Sequence, residues 1–235
     1  MIDKIKKELY IFSSFQKAQL LQRFFKTGKG EYGEGDKFLG IVVPDIRRVM
    51  KKFWREISLV ETEKLLHSQF HEERLLALLI LVEKYRHGES CEKIFKLYLK
   101  NIKKYINNWD LVDLTAPHIV GEYLKDKDKK VLVGLAKSKN LWERRVAILA
   151  TFNFIYFGDS KETIKISSIL LNDRHDLIHK AVGWMLREVG KRCSEEVLEK
   201  FLLQNAVLMP RVMLRYSIER LPAKKRIFWL KYKKK

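Results

Sequence analysis

The sequence is poor in cysteine, in turn-forming residues and in long apolar runs. Its two cysteines, Cys91 and Cys193, are too few for a disulfide framework or a cysteine-rich metal module. Glycine and proline number 11 and 4, about half the share of an average soluble domain, which disfavours an all-β sandwich or barrel. The longest apolar run, Leu75 to Val82, has eight residues, whereas a membrane-spanning helix needs about 20. These shortages favour a helical protein without a membrane span.

The charge is strongly one-sided. Lys and Arg number 48 and Asp and Glu number 29, which gives a formal net charge of +19. Such an excess attracts polyanions, and without a membrane anchor the favoured polyanion is nucleic acid. The alternative is a basic surface that serves solubility alone. The first eight residues, MIDKIKKE, provide no secretory apolar region, so we expect a cytoplasmic, nucleoid-associated protein.

Apolar residues recur at helical spacing in segment after segment, and none alternates convincingly at period two. This pattern predicts roughly a dozen helices. Plausible N-caps lie at Ser58, Ser90, Asn108 and Ser194, and Ser58 with Glu61 matches a capping box.

The helices also repeat. Residues 73–79 (ERLLALL) resemble residues 143–149 (ERRVAIL) at an offset of 70, which is twice 35. The same 35-residue step connects Arg145 to Lys180 and Lys180 to Arg215. A period of this size with two helices per unit is typical of a helical solenoid. We therefore predict an all-α, curved solenoid that forms one domain over residues 1–235, with these three cations on one face, as a polyphosphate chain would require.

The most unusual segment is residues 107–118 (NNWDLVDLTAPH). Trp109 and Asp113 are four residues apart, so a helix would place an indole and a carboxylate on one face. Pro117 follows four residues later, where its missing N–H favours a kink. A kinked helix that carries an acid is a candidate site. The alternative is a core tryptophan beside a surface or capping aspartate.

A second constellation lies in residues 180–191 (KAVGWMLREVGK). Lys180, Trp184, Arg187 and Lys191 fall on one helical stripe, away from the apolar stripe. An indole among cations suits a nucleotide, because phosphates meet the charges and a base or sugar meets the ring. The alternative is a tryptophan that packs between repeats.

Five segments together resemble the AlkD-like DNA glycosylase family. They are NWDLVD at 108–113, LWERR at 141–145, KAVGWMLREVGK at 180–191, FLGI at 38–41 before Pro44, and MPR at 209–211. The resemblance spans nearly the whole chain. It implies a solenoid of HEAT-like repeats that excises cationic N3- and N7-alkylated purines from duplex DNA, without a metal or a cofactor.

The resemblance also implies roles for single residues. Asp113 corresponds to the catalytic carboxylate, Trp109 and Trp184 to two indoles that line the site, and Arg145 and Arg187 to contacts with phosphate. The basic stripe and the repeat add Lys180, Lys191 and Arg215 as candidate DNA contacts, and the LWERR and MPR segments add Arg144 and Arg211.

The expected function is therefore that of a DNA glycosylase of base excision repair, which hydrolyses the N-glycosidic bond of 3-methyladenine or 7-methylguanine in double-stranded DNA. We expect a monomer with no membrane partner. Two alternatives stay open. One is a non-catalytic HEAT-like protein that binds DNA structure, and the other is a protein adaptor whose charge meets an acidic partner.

Overall fold

The structure is a computed structural model and describes residues 1–233. Within that range the chain forms 16 α-helices, one π-helical turn and no β-strand, which confirms the all-helical prediction. The helices are α1 (Ile2–Tyr10), α2 (Phe15–Phe24), α3 (Val43–Phe53), α4 (Leu59–Leu66), α5 (His71–Arg86), α6 (Cys91–Asn101), α7 (Trp109–Asp113), α8 (Glu122–Leu124), α9 (Lys130–Ala136), α10 (Leu141–Ala150), α11 (Phe152–Tyr156), α12 (Lys161–Ile169), α13 (Asp176–Arg192), α14 (Glu195–Asn205), α15 (Arg211–Ser217) and α16 (Ala223–Lys231).

The contacts divide the chain into two compact units. The first unit is Met1–Thr115, and the second begins at Ala116. The π-helical turn Pro117–Gly121 lies at the start of the second unit and leads into α8. It begins at the proline where the sequence favours a kink. That residues 1–235 form a single domain stays a prediction.

The first unit is built around α5. Each residue from His71 to Val82 is buried, because α3, α4, α6 and α7 pack against this helix. The longest apolar run of the sequence, Leu75 to Val82, is therefore the centre of a core that is covered by other helices. No helix in residues 1–233 has the length and apolar character needed to cross a membrane.

The second unit shows the 35-residue period directly. Its helices α10, α13 and α15 begin at residues 141, 176 and 211, and both steps, 176 minus 141 and 211 minus 176, equal 35. These helices pack in that order, α10 on α13 and α13 on α15. The helices α9 and α14 pack on α10 and α13 from a second row. This arrangement of paired helices confirms the repeat.

A hydrogen-bond pattern recurs at the same period before α5, α10 and α13. At each place the side chain of one residue accepts a hydrogen bond from the backbone N–H two residues later. The backbone carbonyl of that same residue accepts a second bond from a side chain six residues later. The residues in these three roles are Ser68, Phe70 and Arg74, then Ser138, Asn140 and Arg144, and then Asp173, His175 and His179. Residues of different type thus form the same bonds at offsets of 70 and 35.

Three of the four predicted caps form as expected. Ser58 and Glu61 make a complete capping box, and the side chains of Asn108 and Ser194 accept from the first turns of α7 and α14. Ser90 is different, since it takes the left-handed conformation (φ 48°) and its side chain makes no cap bond. Ser90 is thus the N-cap residue of α6, as predicted, but its backbone is left-handed where those of Ser58, Asn108 and Ser194 are extended, and no side-chain cap bond forms.

Candidate functional site

The helix that carries Trp109 and Asp113 is only five residues long. A helix this short does not form in isolation, so its neighbours must hold it in place. Asn108 begins it, because its Oδ1 accepts from Trp109 N at 2.8 Å. Leu111 and Val112 are fully buried in the middle of α7. The helix is therefore anchored by a cap and by the core of the first unit.

The indole of Trp109 is part of an aromatic wall. It stacks on Phe25, with ring centroids 5.2 Å apart and planes 18° apart, and meets Phe24 edge-on at 5.9 Å. Phe25 stacks in turn on Phe38 at 5.0 Å. Trp109 itself is half-buried. The ring is thus held on one side and partly open to solvent.

Asp113 is half-buried one helical turn after Trp109. Its charge acts on Tyr98, a fully buried side chain whose hydroxyl lies 2.9 Å from Thr115 Oγ1. Burial raises the pKa of Tyr98 above its usual value, and the negative charge of Asp113 adds to this rise. The carboxylate therefore acts electrostatically on its surroundings inside the first unit.

A cavity of about 430 Å³ lies beside the aromatic wall in the first unit. Its lining is mostly apolar and comes from α2, from the start of α3 and from residues 38–42 between them. Four polar side chains also line it, and they are Lys17, His71, Glu72 and Asp110. A volume of this size is typical of small-molecule sites. The FLGI segment at 38–41 that contributed to the family resemblance is part of this wall.

A buried network of charged groups lies next to this cavity. The imidazole of His71 is 2.8 Å from Asp110 Oδ2 and 3.3 Å from Asp36 Oδ2. Asp36 also accepts from Arg74 Nη2 at 2.7 Å and from Asn108 Nδ2 at 3.1 Å. The sequence gives no local sign of this network, because its hydrogen bonds join residues that are 35 to 72 positions apart. The available signal was the run of ionisable residues 71–74 directly before the longest apolar run, Leu75 to Val82.

The second unit holds the other predicted group on α13. Trp184 is half-buried and lies 6.2 Å from the ring of Phe152. The residues of the apolar stripe, which are Ile178, Val182, Met185 and Val189, are fully buried. Lys180, Trp184 and Arg187 keep part of their surface exposed, and Lys191 is exposed. The two stripes are thus separated as the sequence pattern predicts.

Several predicted cations already have partners. Arg144 Nε lies 2.6 Å from Asp173 Oδ2, and Lys180 Nζ lies 2.6 Å from Asp176. Arg187 binds Glu188 and Glu219. Burial opposes the charge of Arg187, but the hydrogen bonds to these two carboxylates outweigh it and raise the pKa of the guanidinium.

The remaining cations differ in exposure. Arg145 is 5% exposed, and its Nη1 donates to the carbonyl of Leu177 at the start of α13. Arg211 is exposed, and its Nη1 donates to a backbone carbonyl in α16 at 2.8 Å. Lys191 and Arg215 are exposed and form no ion pair within residues 1–233. The predicted row of cations is therefore exposed at Arg215, part-exposed at Lys180 and buried at Arg145.

The structure thus forms two groups of predicted residues. Trp109 and Asp113 lie together on α7, and Trp184 lies with its cations on α13. Their gathering around one nucleotide stays a prediction. The described residues contain no cluster of three or more His, Cys, Asp or Glu side chains that could hold a metal ion.

Comparisons with known proteins point to one family. The pattern of the family described as DNA alkylation repair enzyme matches residues 5–221. A solved structure from Enterococcus faecalis is described as a predicted DNA alkylation repair enzyme. The match covers 90% of this chain and 97% of that chain, with a TM-score of 0.73 and 17% sequence identity. At that identity the likeness shows the fold alone. No curated protein matches the sequence. Because the family pattern covers nearly all of the chain, the protein belongs to the DNA alkylation repair enzyme family.

Proposed function

We propose that the protein is a DNA glycosylase that removes N3- and N7-alkylated purines from duplex DNA by hydrolysing the N-glycosidic bond. The observation that carries this proposal is the pairing of Trp109 and Asp113 on α7. An indole and a carboxylate lie one helical turn apart, both partly open to solvent, on a helix that is anchored at its start and in its middle.

This pair suits a leaving group that is already charged. Alkylation at N3 or N7 makes the purine cationic, so no general acid is needed to protonate it. As the bond to deoxyribose stretches, positive charge moves to the sugar and the transition state resembles an oxocarbenium ion. A single carboxylate can stabilise that charge and orient the attacking water. We assign this role to Asp113.

The indoles supply a second kind of stabilisation. The face of Trp109 can meet the cationic sugar, and such a contact is worth about 2 kcal/mol when it is desolvated. Its stack on Phe25 keeps the ring in one orientation. We assign the same role to Trp184 from the second unit. Unmodified purines lack the positive charge, so selectivity can come from the lesion itself.

DNA binding is assigned to the cations of the second unit. Lys191 and Arg215 support it most directly, since both are exposed and neither forms an ion pair in the described part of the chain. Lys180, Arg187, Arg144 and Arg211 would contribute alongside their present partners. Arg145 would have to leave the Leu177 carbonyl to reach a phosphate.

The test is release of free base from methylated duplex DNA. The protein should liberate 3-methyladenine or 7-methylguanine, measured by chromatography beside an active control enzyme. Asp113→Asn should lower the single-turnover rate by up to about 10³-fold, because a unit charge pair at about 4 Å is worth about 4 kcal/mol at an effective dielectric of 20. DNA affinity should not fall, because the variant removes a charge that repels phosphate and adds none.

Asp126→Asn is the matched control, since it makes the same change at an exposed aspartate of the second unit. It should leave the rate unchanged. No free base while the control enzyme is active would refute the glycosylase proposal. Equal binding of methylated and unmethylated duplexes without base release would instead identify a protein that binds DNA structure.

A further inference from the structure

The first turn of α5 is the most heavily bonded part of the first unit. Its four residues, His71 to Arg74, are charged or ionisable and no more than 3% exposed. The Glu72 carboxylate accepts from the backbone N–H groups of residues 39, 40 and 41 at 2.9, 2.8 and 3.2 Å. Glu73 binds Lys6 at 2.8 Å and also binds Tyr10. Of the four, only His71 binds a residue of α7.

His71 lies between two carboxylates. Its Nε2 faces Asp110 Oδ2 at 2.8 Å and its Nδ1 faces Asp36 Oδ2 at 3.3 Å. Both nitrogens can donate only when the imidazole carries two protons. The rings of Phe25 and Phe38 lie against the imidazole, with centroids 5.0 and 4.6 Å away. On these sides the imidazole therefore contacts apolar rings and not solvent.

The charged groups around His71 favour the imidazolium. Burial alone would lower the pKa of His71, and the nearby Arg74 guanidinium acts in the same direction. The charge and hydrogen bond of Asp110, together with the hydrogen bond of Asp36, outweigh both and raise the pKa to about 9. The third carboxylate of this region, Glu72, is turned to backbone N–H groups instead. The imidazole is therefore charged at neutral pH.

The start of α7 depends on these same groups. Asn108, its N-cap, donates to Asp36 Oδ2 at 3.1 Å, and Asp110, its second residue, binds His71. Trp109 lies between these two anchors in the chain. The other oxygen of Asp110 is buried and has no hydrogen-bond partner in residues 1–233. Loss of the imidazolium would thus remove the positive charge that compensates the Asp110 carboxylate, which is costly for a buried group.

We propose that His71, as the imidazolium, is a positioning residue for the reaction proposed above: it binds Asp36 and Asp110 at once and so fixes the first turn of α7, which presents Trp109 and Asp113. This inference rests on the proposed function for its catalytic consequence. A neutral imidazole can donate to one carboxylate only, and its other nitrogen then presents a lone pair to the second. The contact of His71 with Asp36 or with Asp110 is then weakened, so the first turn of α7 is held less firmly and we expect the surroundings of the Trp109 indole to change.

The first experiment follows the wild-type protein by NMR between pH 7 and 10. It measures the imidazole resonances of His71 and the indole N–H resonance of Trp109, assigned with Trp109→Phe. Both should change with one midpoint near pH 9. An indole resonance that stays constant while His71 titrates would overturn the proposal. This readout does not depend on catalysis, so it decides the positioning role even if no base is released.

The second experiment measures single-turnover base release over the same range, with the uncatalysed release subtracted. The wild-type rate should fall about four-fold by pH 9.5, which is the loss of imidazolium expected for a pKa of about 9. In Asp110→Asn the strongest stabilising charge is removed, so the alkaline limb should move to lower pH by at least one unit. A role that is only structural would lower the rate by one factor at every pH, and that result would also overturn the proposal.

The matched control is His67→Gln. His67 is a part-exposed histidine four residues earlier that bonds Asn101 at 2.8 Å and stacks on Tyr105. This variant should keep the wild-type pH profile, whereas His71→Gln should lose the alkaline limb. If His71→Gln does not fold, the wild-type titration and Asp110→Asn still decide the question. A shifted limb in His67→Gln would count against His71 as the group that titrates.

Discussion

Gly183, the residue before Trp184, lies where α13 approaches α15 most closely. A Cβ built at this position would be 2.5 Å from the carbonyl oxygen of Met213 and 2.6 Å from the Cβ of Tyr216. Ordinary van der Waals contacts begin near 3.4 Å. The Met213 oxygen belongs to the backbone and the Tyr216 Cβ is bonded directly to it, so neither atom can move away by a side-chain rotation. We therefore expect Gly183→Ala to push α13 and α15 apart.

The size of the effect follows from two opposing contributions. Overpacking a close contact typically costs about 1 to 3 kcal/mol, while alanine in a helix interior is favoured over glycine by up to about 1 kcal/mol. Both contacts at Gly183 are shorter than 3.0 Å, so the upper part of the overpacking range applies, and the net loss in the free energy of unfolding should be about 1 to 2 kcal/mol. For a protein of this length that corresponds to a fall in Tm of about 2 to 8 °C.

Gly134→Ala is the control, because it makes the same substitution where the new Cβ would meet nothing within 4 Å beyond its own stretch of helix backbone. Gly134 is inside α9, so this variant should gain about 0.5 to 1 kcal/mol from helix propensity alone. Thermal and urea unfolding followed by circular dichroism at 222 nm would compare both variants with wild type. A Tm for Gly183→Ala at or above the wild-type value would refute the close approach of the two helices.

Three further predictions concern charge and capping. The pKa of His71 is raised from about 6.5 to about 9. Its contribution to stability is therefore fully present below pH 6.5 and is lost as the pH rises through 9. Urea unfolding should show a loss of about 3 kcal/mol in the free energy of unfolding over this range, and no such loss in His71→Gln. Lys191→Ala should reduce the slope of log affinity against log salt for duplex DNA by about one, with little change in Tm, whereas Arg145→Ala should lower the Tm through its lost bond to a buried carbonyl. Asn140→Ala should cost about 1 kcal/mol, measured by urea unfolding, because the Asn140 side chain caps α10 by accepting from two N–H groups at 3.0 and 3.1 Å.

Helix content and the repeat could be predicted because both depend on local sequence. The spacing of apolar residues is set by the helical turn, and the capping box at Ser58 needs only two residues that are three positions apart. The step from Arg145 to Lys180 to Arg215 marks the fifth residue of α10, α13 and α15. The exposure of those residues could not be predicted, because it depends on what packs over each helix. The first turn of α13 lies over Arg145 and accepts its hydrogen bond.

The site could be predicted only in part for a similar reason. Trp109 and Asp113 were found because they share one helical face within a single segment. The partners that hold α7 come from positions 36 and 71, and no periodic pattern connects them to position 110. A buried His and Asp also contradict the usual expectation that such side chains lie at the surface. Only three-dimensional contacts reveal that these groups compensate one another.

The recurring bonds before α10 and α13 make the intervening stretch, residues 141–175, a module with matching ends. The segment before this module offers a side-chain and a backbone acceptor at Ser138. The module offers the same two kinds of acceptor, at Asp173, to the segment that follows it. A tandem duplication of those 35 residues would therefore find compatible partners on both sides. Because each repeat contacts mainly its neighbours, such an insertion would form the same hydrogen bonds at both of its joints.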